Sequence, residues 1–308
     1  MKVFRSVGEA TGAPQLRGCA LCLGNFDGVH LGHQALISTA AKFAPAAVLT
    51  FHPHPGKVLQ PILAPKLIVS ESRKLELFEQ YRVEWAIVQP FTLQFSTVTA
   101  AEFEKMILDE LGATYVIVGQ DFTYGVKRSG NVESLDVATR ARRARLCVVP
   151  AVTELGVVVS SSKIREYLLE GRVDAAARLL GRRFDLDGTV VRGAGRGRTI
   201  GFPTANIDPE CELRPAAGVY AVRVREIDLE GPWITAAVNI GAKPTFGGTE
   251  ITIEAHLVDF SGDLYGKRLR VEFLERLRGE QRFASAGDLI SQIRRDVEAT
   301  RLAAARVN

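Results

Sequence analysis

The chain has 308 residues, 46% of them hydrophobic and 24% charged, which fits a globular protein of about two ordinary domains. With 39 basic against 35 acidic residues the formal charge is +4, too mild for a dedicated nucleic-acid binder but suited to anionic small ligands. No apolar run approaches the ~20 residues a membrane helix needs, and Met1-Lys2-Val3-Phe4-Arg5 lacks an apolar signal region, so a cytoplasmic protein without a membrane segment is expected.

In chain order, Leu16–Leu23, Ala46–Thr50, Trp85–Gln89 and Tyr115–Gly119 read as short strands rich in Val, Ile and Leu. Helical patterns over His33–Phe43, Ser70–Tyr81 and Ala100–Leu111 separate them, and a further strand is expected at Leu146–Pro150. Alternating strands and helices predict an α/β domain with a mostly parallel sheet. Two helices, Ser162–Gly171 and Val173–Leu180, follow. From Phe184 the texture changes to short runs such as Gly188–Arg192, Gly218–Arg225, Ile234–Ile240 and Thr252–Val258. Turn clusters at 193–197, Gly241–Pro244, Gly247-Gly248 and Ser261–Asp263 divide them, which predicts a small β-barrel. Ala286–Ala304 reads as a long final helix. The domains are placed at 1–182 and 183–308.

Of four cysteines, Cys19 and Cys22 have a CxxC spacing, but no second Cys or Cys/His pair completes a zinc pattern. They lie in a strand-like apolar run and are read as buried thiols.

The segment richest in chemistry is Gly24-Asn-Phe-Asp-Gly-Val-His-Leu-Gly-His33, between a strand and a helix. Gly28 and Gly32 permit tight turning and close approach to a ligand. The helix N-terminus that follows offers free N–H groups to an anion. His30 and His33 add two imidazoles that can hold phosphates. From spacing alone they could equally be half of a metal site or polar loop residues, but no third ligand appears at helical spacing.

This segment resembles the HxGH signature of nucleotidyltransferases, in the fuller form typical of the adenylyltransferase module of bacterial FAD synthetases. Thr50-Phe-His-Pro-His-Pro55, Val118-Gly-Gln-Asp-Phe-Thr-Tyr-Gly125 and Val159-Ser-Ser-Ser-Lys-Ile-Arg165 resemble that family's later elements, in order. The departures are His52 where an acidic residue is common, Tyr124 for Phe, and Ser162 for Thr, which keeps the hydroxyl. The resemblance implies adenylyl transfer from ATP to FMN, with Mg²⁺ assisting. It places Gly24, Asn25, Phe26, Asp27 and Gly28 at the nucleotide, with catalytic His30 and His33 on its phosphates. Ser161, Ser162 and Arg165 would hold the β- and γ-phosphates, and His54, Asp121 and Phe122 would lie near flavin or nucleotide. A turn aspartate is the alternative for Asp121.

A second constellation is Arg192-Gly-Ala-Gly-Arg-Gly-Arg-Thr-Ile-Gly-Phe-Pro-Thr-Ala-Asn206. It is neither a dinucleotide fingerprint nor a Walker A loop, and on composition a solvated Gly/Arg turn competes with an anion cradle. Thr204 and Asn206, two apart, share one side of an extended segment and offer oxygens to a hard cation. Gly201-Phe-Pro-Thr-Ala-Asn206 resembles the PTAN motif of riboflavin kinases. Pro215-Ala-Ala-Gly-Val-Tyr-Ala221, Asn239-Ile-Gly-Ala-Lys-Pro-Thr-Phe246, Thr252-Ile-Glu-Ala-His-Leu-Val-Asp-Phe260 and Asp263-Leu-Tyr-Gly-Lys267 match later elements in order. The resemblance implies phosphorylation of riboflavin by ATP, with Glu254 as catalytic base, Gly195, Arg196, Gly197, Arg198, Thr204 and Asn206 at the ATP, and Thr204 and Asn206 at Mg²⁺. Strand alternation alone would make Glu254 an outward, solvated carboxylate.

The implied fold is a Rossmann-like nucleotidyltransferase domain followed by a six-stranded β-barrel kinase domain with a C-terminal helix. Riboflavin, FMN and ATP are the implied small-molecule partners, with no nucleic acid; no feature specifies an oligomeric state. Another HxGH adenylyltransferase would leave the Pro-Thr-Ala-Asn half unexplained. A nucleic-acid-binding module would rest on Arg140-Ala-Arg-Arg-Ala-Arg145, which lacks interleaved aromatics and reads better as a solvated face.

Overall fold

The computed structural model describes residues 1–193, 197, 200–229, 231–245 and 248–306. The chain divides into two compact units, Met1–Lys66 with Glu71–Ser160, and Leu67–Ser70 with Ser161–Asn308.

In the first unit the apolar runs form strands β1 (Lys2–Phe4), β2 (Ala20–Leu23), β3 (Ala46–His52), β4 (Trp85–Pro90), β5 (Tyr115–Gly119) and β6 (Arg145–Val149). They make one sheet in the order β1-β4-β3-β2-β5-β6, with every neighbouring pair parallel. Between the strands run α1 (Val7–Ala10), α2 (Leu31–Ala40), α3 (Pro55–Leu59), α4 (Glu71–Gln80), α5 (Ala100–Lys105) and α6 (Val132–Ala141). A two-stranded hairpin, β7 (Thr153–Glu154) with β8 (Val157–Val158), closes the unit.

Both faces of the sheet are covered, so its strands read as continuous apolar runs instead of alternating ones. Leu21, Leu23, Leu49, Val116 and Val118 share a core with Phe103, Ile107, Leu108 and Leu135. Cys22, Val48, Ala86 and Ile117, at the alternate positions, are also fully buried. Strand β2 has β3 on one side and β5 on the other, so the direction of winding reverses there. In an open parallel sheet that reversal leaves a crevice at the carboxyl ends of the strands. The Gly24–His33 segment leaves β2 at that place.

The helix expected over Ala100–Leu111 is α-helical only to Lys105. It continues as one wider π turn over Met106–Glu110, closed by the Leu111 N–H donating to the Met106 carbonyl at 3.0 Å. The wider turn buries Ile107 and Leu108. Cys19 and Cys22 are free and buried, and burial pushes the Cys19 thiol up to about 12. Neither pairs nor, among the described residues, joins a metal-binding cluster.

The second unit begins with α7 (Ser161–Leu169) and α8 (Val173–Leu180), which ends on the left-handed Gly181, φ +67°. There follow β9 (Asp185–Val191), β10 (Ala205–Pro209), β11 (Gly218–Glu226), β12 (Ile234–Thr245), β13 (Gly248–Leu257), β14 (Arg268–Arg278) and the 20-residue α9 (Ala286–Ala305). The strands close into a barrel in the order β10-β13-β12-β11-β14-β9, all pairs antiparallel. Ile207, Val222, Val238, Ile240, Ile253, Val271 and Phe273 are buried as its lining. The turn expected at Gly241–Pro244 is instead the end of β12, paired through Thr245 with β13. The cross-strand pairing of Lys243 with Glu250 and of Pro244 with Thr249 carries the hairpin past the apolar run.

Asp187 and Arg270 face each other across β9 and β14, joined by two hydrogen bonds of 2.7 Å and each only 3% exposed. Removing one member of a buried pair leaves the other charge without that counterion, at a cost of ~3–5 kcal/mol. Asp187→Ala should therefore lower barrel stability by that amount in denaturant unfolding; an unchanged midpoint would contradict this account of the pair.

Candidate active sites

After β2 the chain makes a turn that few sequences tolerate. Phe26 has φ +52°, Gly28 φ +85° and Val29 φ +42°. Glycine enters that region freely. Phenylalanine and β-branched valine do so at a cost of ~1–3 kcal/mol each. Both side chains are fully buried, which contributes ~1.5–3 kcal/mol apiece and so offsets the strain. Phe26 packs edge-on against Phe78 of α4, ring centroids 5.4 Å apart, and tilts against His33 at 5.0 Å.

The turn delivers His30 to the N-cap of α2, so the helix begins at Leu31, two positions earlier than the expected start at His33. Its Nδ1 accepts a long, 3.4 Å bond from the His33 N–H, which places the proton of a neutral imidazole on Nε2. The His30 and His33 rings stack 3.6 Å apart at 16°. Gly32 is not in a left-handed conformation; a methyl group there would meet the His30 ring at 3.1 Å. Two adjacent imidazoles at the start of a ten-residue helix, in the crevice of a parallel sheet, form a site suited to phosphate.

The floor of the turn is polar. The Asn25 carbonyl accepts from the Thr50 hydroxyl at 3.0 Å and from the Lys74 ammonium at 3.4 Å, and Lys74 also lies 3.2 Å from Thr50 Oγ1. Burial holds the Lys74 pKa below the ordinary lysine value, opposed by the charges of Asp27 and Glu71. Asp27 is itself buried. Sequence reading passed over Lys74, because a lysine in an amphipathic helix reads as solvated.

His54 caps α3, its Nδ1 accepting from the Gly56 N–H at 3.1 Å. His52 sits 2.9 Å from Glu71 Oε2, and Arg5 bonds to the other oxygen of the same carboxylate. A carboxylate thus stands beside position 52, supplied by α4. Asp121 is exposed and Phe122 half-buried in the turn after β5, where the Phe122 N–H donates to the Gly119 carbonyl at 3.2 Å. Phe122 stacks on Tyr124 at 5.7 Å. The Tyr124 hydroxyl donates to Glu104 at 2.6 Å and lies 3.1 Å from Ser134 Oγ, tying this turn to α5 and α6.

In the second unit, Ser161 opens α7, with Ser162 beside it and Arg165 one turn later. Ser161 and Arg165 are half-buried and Ser162 is exposed. The barrel supplies a separate cavity of about 360 Å³. Val219, Asn239, Glu254 and Asn206 are direct neighbours across β11, β12, β13 and β10. They alternate with the inward Ile207, Ile240 and Ile253, so their side chains lie on the outer face of the barrel. That face is roofed by Arg278, Phe283 and, from α9, Leu289, Ile293 and Asp296. Glu254 is therefore outward, as alternation requires, but faces a covered cavity with Gly197, Thr204 and Asn239.

Two glycines of the Gly/Arg segment make close approaches. A methyl group on Gly193 would fall 2.0 Å from the Asn206 amide nitrogen, and one on Gly197 would fall 2.3 Å from the Phe202 carbonyl. Phe202 meets His256 edge-on at 5.4 Å, and His256 Nδ1 lies 2.9 Å from the Pro203 carbonyl. Arg278 clasps Asp296 through bonds of 2.8 and 3.1 Å, holding the end of β14 to α9. Arg278 and Asp296 stand 18 residues apart with no motif to join them. Gly195, Arg196 and Arg198 lie outside the described residues.

A sequence model of the FAD synthetase family matches residues 13–163, and one of the riboflavin kinase family matches residues 180–304. The chain is 35% identical over 302 residues to the bifunctional riboflavin kinase/FMN adenylyltransferase of Escherichia coli (strain K12), which covers 96% of each chain. It is 37% identical over 286 residues to the protein of that description from Bacillus subtilis (strain 168), covering 90% of this chain and 89% of the other. A crystal structure described as a macrolide-efflux protein from Streptococcus pneumoniae superposes with a TM-score of 0.87 at 32% identity, over 97% of this chain and 98% of that one. Among the described residues no helix is long and apolar enough to cross a membrane.

Tyr124→Phe removes a buried hydroxyl shared by Glu104 and Ser134. A hydrogen bond to a charged acceptor contributes ~1.5–3 kcal/mol, so the variant should lower the unfolding free energy of the first unit by about that much. Urea unfolding followed by α/β-unit tryptophan emission from Trp85 would show it, and an unshifted transition would count against the tie.

Proposed function

The chain belongs to the bifunctional riboflavin kinase/FMN adenylyltransferase family, and on that premise we propose that it converts riboflavin to FMN and then FMN to FAD, with ATP as co-substrate in both steps. The observation that carries this reading is that one chain holds two separate built sites, a stacked histidine pair at a helix N-terminus and a carboxylate inside a roofed barrel cavity.

In the barrel, Glu254 accepts the proton of the riboflavin 5′-hydroxyl as its oxygen attacks the γ-phosphorus of ATP. The new P–O bond forms as the bond to the β-phosphate oxygen breaks, giving FMN and ADP. Gly197 and its neighbours in the same Gly/Arg loop, Gly195, Arg196 and Arg198, are assigned to the ATP phosphates. Thr204 and Asn206 are assigned to Mg²⁺: a hydroxyl and an amide oxygen are hard donors that suit that ion, and Gly193 leaves room for the Asn206 side chain. When bound there, Mg²⁺ would neutralise charge developing on the transferred phosphoryl group.

In the first unit, an FMN phosphate oxygen attacks the α-phosphorus of a second ATP, and pyrophosphate leaves. No covalent enzyme intermediate is needed, so the site works by holding and by stabilising charge. His30 and His33 contact the phosphates, with the Nε2 proton of His30 as donor. Gly24, Asn25, Phe26, Asp27 and Gly28 form the turn against the nucleotide. Ser161, Ser162 and Arg165 hold the β- and γ-phosphates, and His54, Asp121 and Phe122 stand near flavin or nucleotide. Functional domains of 1–182 and 183–308 follow from this reading.

Separation of function tests the two-site reading. His30→Ala should cut FAD formation by ~100-fold or more and leave FMN formation near wild type, while Glu254→Gln should do the reverse by a similar factor. Loss of both activities in both folded variants would overturn it. Gly193→Ala, which drives a methyl group into Asn206, should depress only FMN formation, measured by chromatography of the flavins.

A further inference from the structure

Lysine is rarely buried without partners, yet Lys74 is 8% exposed in the middle of α4. Its ammonium reaches away from its own helix to two atoms that define the histidine turn. One is the carbonyl of Asn25, the residue immediately before left-handed Phe26. The other is the hydroxyl of Thr50 near the end of β3, which donates to that same carbonyl. The three groups form a closed triangle with sides of 3.0, 3.2 and 3.4 Å. The charges of Asp27, in the turn, and Glu71, one turn earlier on α4, act on the ammonium.

We propose that Lys74 is a positioning residue for adenylyl transfer, whose buried ammonium fixes the Asn25 carbonyl and so the path of the turn that delivers His30 and His33. This rests on the proposed adenylyltransferase reading of the first unit. The side chain of Lys74 is buried, and its ammonium is what reaches the carbonyl. Phe26 follows that carbonyl in the chain, and its ring touches His33 and Phe78. A peptide plane released at Asn25 would rotate the following residues out of the left-handed region, where they stay only under constraint. The histidine rings would then lose their stacked arrangement. Displacement of catalytic groups by about 1 Å can cost ~100-fold in rate even when the altered residue is remote from the reacting atoms.

The test compares Lys74→Met, which keeps the stem and deletes the ammonium, with Lys74→Arg, which keeps a buried donor cation. Steady-state formation of FAD from FMN and ATP is measured on the full chain, with formation of FMN from riboflavin on the same samples reporting that the chain is folded. Lys74→Met is expected to lose ~100-fold in kcat for FAD formation, with KM values changed less than about threefold and FMN formation unchanged. Lys74→Arg is expected to recover at least about a tenth of the lost kcat. Full FAD formation by Lys74→Met would overturn the role of Lys74 alone. Equal loss in the Met and Arg variants would also overturn it, since packing and not the cation would then be at work. Absence of FAD formation by the wild-type chain would instead overturn the adenylyltransferase reading.

Discussion

The first site depends on a backbone held where its residues do not ordinarily go. Phe26 and Val29 occupy left-handed conformations with buried side chains. Strain and burial are of comparable size there, a few kcal/mol each, so the turn persists because the parallel sheet beneath it supplies a core for both anchors. The rest follows from that turn. It starts α2 at His30, stacks the two imidazoles and aims a helix N-terminus into the crevice between β2 and β5. The sheet order explains why the turn lies there, since β2 and β5 are neighbours from which the chain winds on to opposite sides of the sheet, to β3 and to β6.

The barrel solves a different problem. A six-stranded barrel of this size fills its interior with side chains, and the described inward residues are buried there. The cavity lies on the outer face, where Glu254 and Asn239 stand in register on adjacent strands, with Asn206 paired beside Glu254. The C-terminal helix and the segment before it cover that face. The Arg278–Asp296 pair ties the cover to a barrel strand, with Asp296 also accepting from Gln292 at 2.8 Å. One candidate site thus rests on a strained turn and the other on a roofed sheet.

Much of this was legible in the residues. The buried runs at β2, β3, β4 and β5 are recognisable because both sheet faces are covered, and the two motif segments announce chemistry through glycine, histidine and arginine content. What was hidden depended on partners distant in sequence. Helix α6 carries a mixed surface and is announced only by the Asn131–Ser134 capping box. Strand β14 is full of arginine and glutamate because its outward residues pair across the barrel, as Arg223 does with Glu272 at 2.6 Å. The Gly241–Pro244 stretch has turn composition but is held straight by β13. Glu254 shows the same limit at the site: alternation gives its direction, and only the fold shows that α9 covers what it faces. Lys74 and Glu71 escaped notice for the same reason, since helical pattern reports a face and not what a long side chain reaches.

The most direct test of the two-site account is a time course with purified chain, riboflavin, ATP and Mg²⁺, the flavins being separated at each point. The account predicts that FMN rises first and FAD follows as FMN is consumed, with one equivalent of pyrophosphate released per FAD. Folded protein that yields neither phosphorylated nor adenylylated flavin would contradict it.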